Sequence, residues 1–276
     1  MPRRRLSDAA RMGVYQMADD GLPLRDRGLN AEEMTALRLI LSTYRDGSGQ
    51  VVLKSTGETM PGFRDFERAL AAVTNGVTTE NKGIFDVIVP ASPLPYGLSA
   101  KMSKIQPERN KCSFMELANS AAKFRQNLLD KQINWVTEPM LAGPEIVDQV
   151  TGWHLAESEG IDVPQSKYVI LAHNNPWTQF QLISFPLTLK VANPKGEVEW
   201  LIEGASLNGY IDDNGRRHRL WQCYMNSGGQ LKYYPPLHWA DWMSAAFTLE
   251  KPPVGSPSQR AQEYFPELWP EGFGDT

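Results

Sequence analysis

One carboxylate in an otherwise apolar run constrains this chain more than any other feature. Gly83-Ile84-Phe85-Asp86-Val87-Ile88-Val89-Pro90 is rich in β-branched and aromatic residues and stops at a proline, as a strand does. Asp86 falls in the middle of it, where an unpaired carboxylate is costly to bury. The prolines of Ala91 to Pro95 mark a hairpin loop, and a second strand follows through Gly97 to Lys104. On that strand Ser99 and Lys101 stand two residues apart, hence on one face. The hairpin therefore brings Asp86, Ser99 and Lys101 to one sheet edge.

The rest of the chain divides into a helical start and a strand-rich end. Residues 1 to 45 read as helical: Asn30 caps a segment with Glu32 and Glu33 in its first turn and Met34, Leu37, Leu39, Ile40 and Leu41 at helical spacing. A second helix is expected from about Phe63 to Val73. Ser113-Phe114-Met115-Glu116 reads as the opening of a helix reaching about Leu129, with Glu116 in its first turn. Another helix is expected from Pro144 to Glu157, and Tyr168 to Ala172 reads as a buried strand. Further strands are expected at Phe180 to Val191, Val198 to Ile202, Trp221 to Met225 and Leu231 to Tyr234, divided by Asn193-Pro194-Lys195-Gly196, Asp213-Asn214-Gly215 and Ser227-Gly228-Gly229. No linker splits the chain. The expectation is one α/β domain over 1–276, with a helical N-terminal portion (1–75), a catalytic core (80–240) and a wrapping tail (250–276).

Composition narrows the chemistry. At 276 residues with 41% hydrophobic content the chain can bury a large core. No stretch reaches the roughly 18 apolar residues of a membrane span, and Met1-Pro2-Arg3-Arg4-Arg5 leads into polar Ser7 and Asp8, so a cytoplasmic protein with no membrane partner is expected. Two cysteines, Cys112 and Cys223, without a CxxC, and four histidines argue against a disulfide framework and a thiolate zinc site. Any metal would be held by oxygen. Although the net charge is −4, residues 101–131 carry seven basic residues against three acidic ones, the local surplus that phosphate binding requires.

Two acids sharing a divalent cation beside a lysine make a site for phosphodiester hydrolysis. Glu116 is the candidate second acid, leaning over the hairpin edge from its helix. A plainer reading stands beside this one: Asp86 and Lys101 as a structural cross-strand ion pair, and Ser113-x-x-Glu116 as a capping box and nothing more.

The residues between decide for the first. Asp86, then Ser99-Ala100-Lys101, then Gln106-Pro107-Glu108-Arg109, then six residues and Glu116, resemble the active-site and recognition segment of type II restriction endonucleases of the PD-(D/E)xK superfamily, in the group reading CCGG or CCNGG cores. The resemblance covers about 30 residues. Gln106 stands where the family carries the first arginine of its recognition motif, Ser99 where a second acid is usual, and Phe85 where a proline precedes the aspartate.

The resemblance implies a restriction-endonuclease-like mixed central β-sheet flanked by helices. It implies a Mg²⁺-dependent enzyme, prokaryotic and cytoplasmic, that cuts both strands of a short palindromic site to leave 5′-phosphates. It further implies a homodimer, at least on double-stranded DNA, and a cognate DNA methyltransferase in the same system. Asp86 and Glu116 would hold metal, Lys101 would position or activate water, and Ser99 would fill the second acid's place. Glu67, on the second expected helix, is either a further acidic ligand, as an upstream helical glutamate is in relatives, or an exposed helix residue. Gln106, Glu108 and Arg109 would read bases, with Lys104 or Lys111 in support. Arginine offers two donors to guanine and a carboxylate accepts from cytosine, which suits the Glu108-Arg109 pair. Two alternatives are a structure-specific repair or recombination nuclease of the same superfamily and a catalytically degenerate DNA-binding protein.

Among weaker signals, the aromatic segment Trp221 to Tyr234 is either a DNA-facing surface or a half-buried hairpin. Arg216, Arg217, His218 and Arg219 are either phosphate contacts or a solvated flank. His173 has no nucleophile placed beside it.

Overall fold

The structure is a computed structural model that describes residues 21–79, 83–106, 111–112, 115–156, 159–189, 197–226, 228–253 and 255–270. The chain opens with α1 (Ala31–Thr43), capped as its sequence implies: Asn30 accepts from Glu33 N at 2.9 Å while Glu33 accepts from Asn30 N at 2.8 Å. A two-stranded ribbon follows, β1 (Val51–Val52) with β2 (Thr59–Met60), and then α2 (Phe63–Thr74). Gly62 has no side chain to cap α2. Gln50 substitutes, its Oε1 accepting from Arg64 N at 3.0 Å, and buried Asp65 takes the N–H groups of Gly62 and Gln50. α2 turns its Phe66, Leu70 and Val73 into the core, whereas Phe63 at its first position stays exposed.

From there the chain runs through β3 (Val77–Thr78), β4 (Val87–Val89), β5 (Tyr96–Gln106), β6 (Lys111–Cys112) and β7 (Met115–Ala118) to the helices α3 (Ala121–Asp130) and α4 (Pro139–Ala156). It continues with β8 (Lys167–His173), β9 (Phe180–Pro186), β10 (Glu199–Glu203), β11 (Ser206–Asp213), β12 (Arg216–Tyr224), β13 (Leu231–Tyr233), β14 (Trp242–Met243) and α5 (Pro257–Tyr264). Among the described residues the main sheet has seven strands, ordered β14-β9-β8-β5-β4-β3 with β6 paired to β5. It is mixed. β4 and β5 form the expected antiparallel hairpin, Val87 opposite Leu98, while β5 and β8 run parallel with Ser99 beside Tyr168 and Lys101 beside Ile170. The helices α3 and α4 supply the long crossover that a parallel pair requires. A second, five-stranded sheet has the order β10-β11-β12-β13-β7.

Strand alternation splits β8 between two cores, which is why it reads as a continuous apolar run. Val169 and Leu171 pack with Leu98, Ala100 and the buried faces of α1 and α2. Tyr168, Ile170 and Ala172 pack on the other side with Phe124, Ile146, Trp200 and Trp221, joining α3, α4 and the second sheet in one cluster.

Four expectations are corrected. The Asp86 strand is shorter than its sequence suggests, so Asp86 lies just before β4 and its side chain is 23% exposed, not fully buried. Glu116 lies in β7, not in the first turn of a helix; α3 begins at Ala121, after Ser120, and β7 is held in extended form by pairing with β13, Glu116 opposite Lys232. β9 ends at Pro186, whose missing N–H cannot continue a ladder. β11 is a strand that its sequence does not announce, because Asn208, Gly209 and the two aspartates at its end weaken local strand preference; pairing on both sides imposes it. The Asp213-Asn214-Gly215 turn is as its sequence demands, with φ of 56° at Asn214 and 79° at Gly215. The tail carries α5 and straps back onto the N-terminal portion through Arg260 with Asp46 at 2.9 Å and Glu250 N with Ser42 Oγ at 2.8 Å.

Candidate active site

The β4–β5 hairpin gathers the three residues that the sequence places on it. Asp86 Oδ2 accepts from Ala100 N at 2.7 Å, lies 3.4 Å from Lys101 Nζ and 3.5 Å from Ser99 Oγ. The backbone holds this arrangement from below, since Asp86 N donates to Leu98 O at 2.9 Å. Both charged side chains are about one quarter exposed, at 23% and 26%, so the pair faces accessible space instead of sealing a core.

Glu67, on α2, is near enough for their charges to bear on it. Its carboxyl is pushed upward, chiefly by burial and next by the negative charge of Asp86, with Lys101 acting in the opposite direction. Two acids are thus coupled electrostatically beside one ammonium. Among the described residues Asp86 Oδ1 receives no hydrogen bond. Two carboxylates are few for a cation, and among the described residues no group of three or more His, Cys, Asp or Glu side chains is placed to hold a metal; a Mg²⁺ here would have to take its other ligands from water and phosphate.

The site opens into a cavity of about 380 Å³ between the main sheet, α3, α4 and β7. Ser99 and Lys101 line it from β5, Lys123 from α3, Trp153 and His154 from α4, and Tyr168 from β8. The Tyr168 hydroxyl is 3.4 Å from His154 Nδ1. Burial, reinforced by the charge of Lys101, lowers His154 to about 4, so its ring is neutral near pH 7. Burial raises the Tyr168 phenol well above its ordinary value. Nothing in the sequence marks His154, Lys123 or Tyr168 as site residues. Their only local signal is that they sit on expected elements; the parallel register of β5 and β8 and the packing of α3 on α4 bring them to Lys101.

Other expected site residues separate from this cluster. Glu116, like Asp86 and Glu67, does not line the cavity, although its neighbours Leu117 and Ala118 do, and it sits opposite Lys232 in β7. Lys104 is exposed, and the unbroken β5–β8 register puts it on the sheet face opposite Ser99 and Lys101. Gln106 and Lys111 pair across β5 and β6. Their side chains, and Glu108 and Arg109 altogether, lie outside the described residues. Trp221 is fully buried against Tyr233, ring centroids 4.4 Å apart, so these aromatics belong to the core, while Tyr224 is exposed. Arg217 bonds Glu199 at 3.0 Å and lies over the Tyr210 ring, as a structural flank does. His173 stacks on Trp177 and meets Asn174 O at 2.9 Å. Against known family models, curated proteins and solved structures the chain gives no match.

Proposed function

We propose that this protein is a Mg²⁺-dependent type II restriction endonuclease that hydrolyses both strands of a short palindromic DNA site, with a CCGG or CCNGG core. The observation that carries the reading is the convergence of Lys101, Ser99 and the Ala100 amide on one oxygen of Asp86, with Glu67 under the influence of the same charges and Ser99 and Lys101 lining a cavity. The mixed sheet with helices on its faces also agrees with the restriction-endonuclease-like core that the motif implies.

In this reading Asp86 and Glu67 hold the cation, Glu67 taking the part that the motif alone gives to Glu116. When bound, the ion would offset charge building on the phosphate and acidify water. Lys101 orients the attacking water with its ammonium and is itself fixed by Asp86. Water adds to phosphorus, the bond to the 3′ oxygen breaks, that oxygen takes a proton, and a 5′-phosphate is left. Ser99 and the Ala100 amide keep Asp86 aimed. A palindromic site has two scissile phosphates related by a two-fold axis, so two copies act together on DNA, each reading half a site through Gln106, Glu108 and Arg109. The host would protect its own sites with a cognate methyltransferase.

Incubation with phage DNA and Mg²⁺ tests the proposal. Discrete bands that vanish with EDTA are expected. A smear would point to a nuclease without a consensus, and uncut DNA at every Mg²⁺ concentration would overturn the enzymatic reading.

A further inference from the structure

We propose that Lys123 is a second phosphate-binding residue of this site, holding a strand phosphate next to the scissile one while Lys101 serves the chemistry. The inference rests on the nuclease reading and assigns a substrate contact that the motif does not contain. Among the described residues lining the cavity, every charged or polar side chain is a hydrogen-bond donor or can act as one: Lys101, Lys123, Ser99, Ser120, His154 and Tyr168. None of them is a carboxylate. In a chain of net charge −4 such a lining selects for an anion.

Lys123 is built to stay at the cavity. Its Nζ lies 5.5 Å from the centroid of the Trp153 ring, an attraction that restrains a side chain otherwise free to roam in water. Trp153 is braced in turn by stacking on fully buried Phe124, with centroids 5.6 Å apart and rings inclined by 19°. Lys123 and Phe124 are consecutive on α3, so the helix that buries Phe124 also delivers the ammonium. Among the described residues no carboxylate pairs with Lys123, which leaves its charge available to a ligand. Lys101 and Lys123 enter from β5 and α3, on different walls.

Duplex DNA binding measured by fluorescence anisotropy across a KCl series, with EDTA present so that no strand is cut, tests this. Loss of one phosphate contact in Lys123→Gln should lower the slope of log Kobs against log salt by about 0.9 and weaken binding several-fold. Lys123→Arg should restore both. A Lys123→Gln slope equal to that of the wild type, in a protein that cuts DNA into discrete bands, overturns the inference and leaves the nuclease standing. A Lys123-dependent slope in a protein that never cuts supports the phosphate site and removes the nuclease. No DNA binding at any salt concentration overturns both.

Discussion

Lys101 and Asp86 meet because antiparallel pairing of β4 with β5 sets them across one hairpin, and a residue pair of this kind can be structural or catalytic until its surroundings are known. Partial exposure, a third polar group at Ser99 and the influence of both charges on Glu67 are what the proposed catalytic reading rests on. Lys101→Ala and Asp86→Ala should each abolish cleavage while DNA binding stays measurable in the anisotropy assay. Glu67 and Glu116 are separated by the same logic: Glu67→Gln should cost at least about a hundredfold in cleavage rate, as loss of a group stabilising developing charge does, whereas Glu116→Gln should cut within a few-fold of wild type. The opposite ranking in a gel-based rate assay would restore Glu116 to the site. His154 adds a pH dependence. Its folded value near 4 lies below the ordinary histidine range, so from about pH 6.5 downward the unfolded chain takes up the proton first and stability falls, with loss complete near pH 4. The loss is no more than about 3 kcal/mol, reduced by the side chain's partial exposure. Denaturant melts of His154→Gln between pH 4 and 7 should show a flatter profile than wild type. The hairpin residues were legible because an acid in an apolar run and a lysine at period-two spacing carry their own signal. His154, Lys123 and Tyr168 were not, because nothing local distinguishes a cavity-facing residue from a core one.

At the scale of elements, the hairpin depends on one close approach. A Cβ on Gly97 would stand 2.0 Å from Phe85 Cδ1, and buried Phe85 is the residue immediately before Asp86. Gly97→Ala must therefore displace the phenyl ring, and with it the carboxylate. A destabilisation of about 1–3 kcal/mol in urea melts is expected, together with cleavage loss greater than that stability change explains. Retention of full activity would show that Asp86 does not depend on Phe85 for its position. α1 and α2 formed where helical spacing and start signals agree, and Asn30 with Glu33 fixes the first of them. β7 shows the reverse. Ser-x-x-Glu ahead of an apolar stripe is a helix signal, but Met115 is buried in the core and the register with β13 commits the next residues to a sheet, so the helix starts five residues after Glu116. Local preference of a few tenths of a kcal/mol per residue yields to a ladder of hydrogen bonds and a buried side chain.

Across the whole molecule, the two sheets share one apolar cluster through α4. Gly143 lies so close to the Trp200 ring that a Cβ there would be 2.0 Å from it, and buried Trp200 connects β10 to the helix that also carries His154. Trp200→Ala should cost about 3–5 kcal/mol. Because the cluster is continuous, calorimetry should show one transition at lower Tm; a split into two transitions would mean that the sheets melt separately. The sequence by itself determined the helices with matching periodicity and caps, the β4–β5 hairpin with its Asp86, Ser99 and Lys101, and the tight turn at Asn214-Gly215, since each is specified by residues within a few positions of one another. Only the tertiary structure decided that Glu116 lies in an extended β7, that the charges of Asp86 and Lys101 bear on Glu67, and that Lys123, His154 and Tyr168 line one cavity with Lys101. Those outcomes depend on strand register and helix packing between segments tens of residues apart, where burial and pairing energies outweigh anything a local pattern can encode.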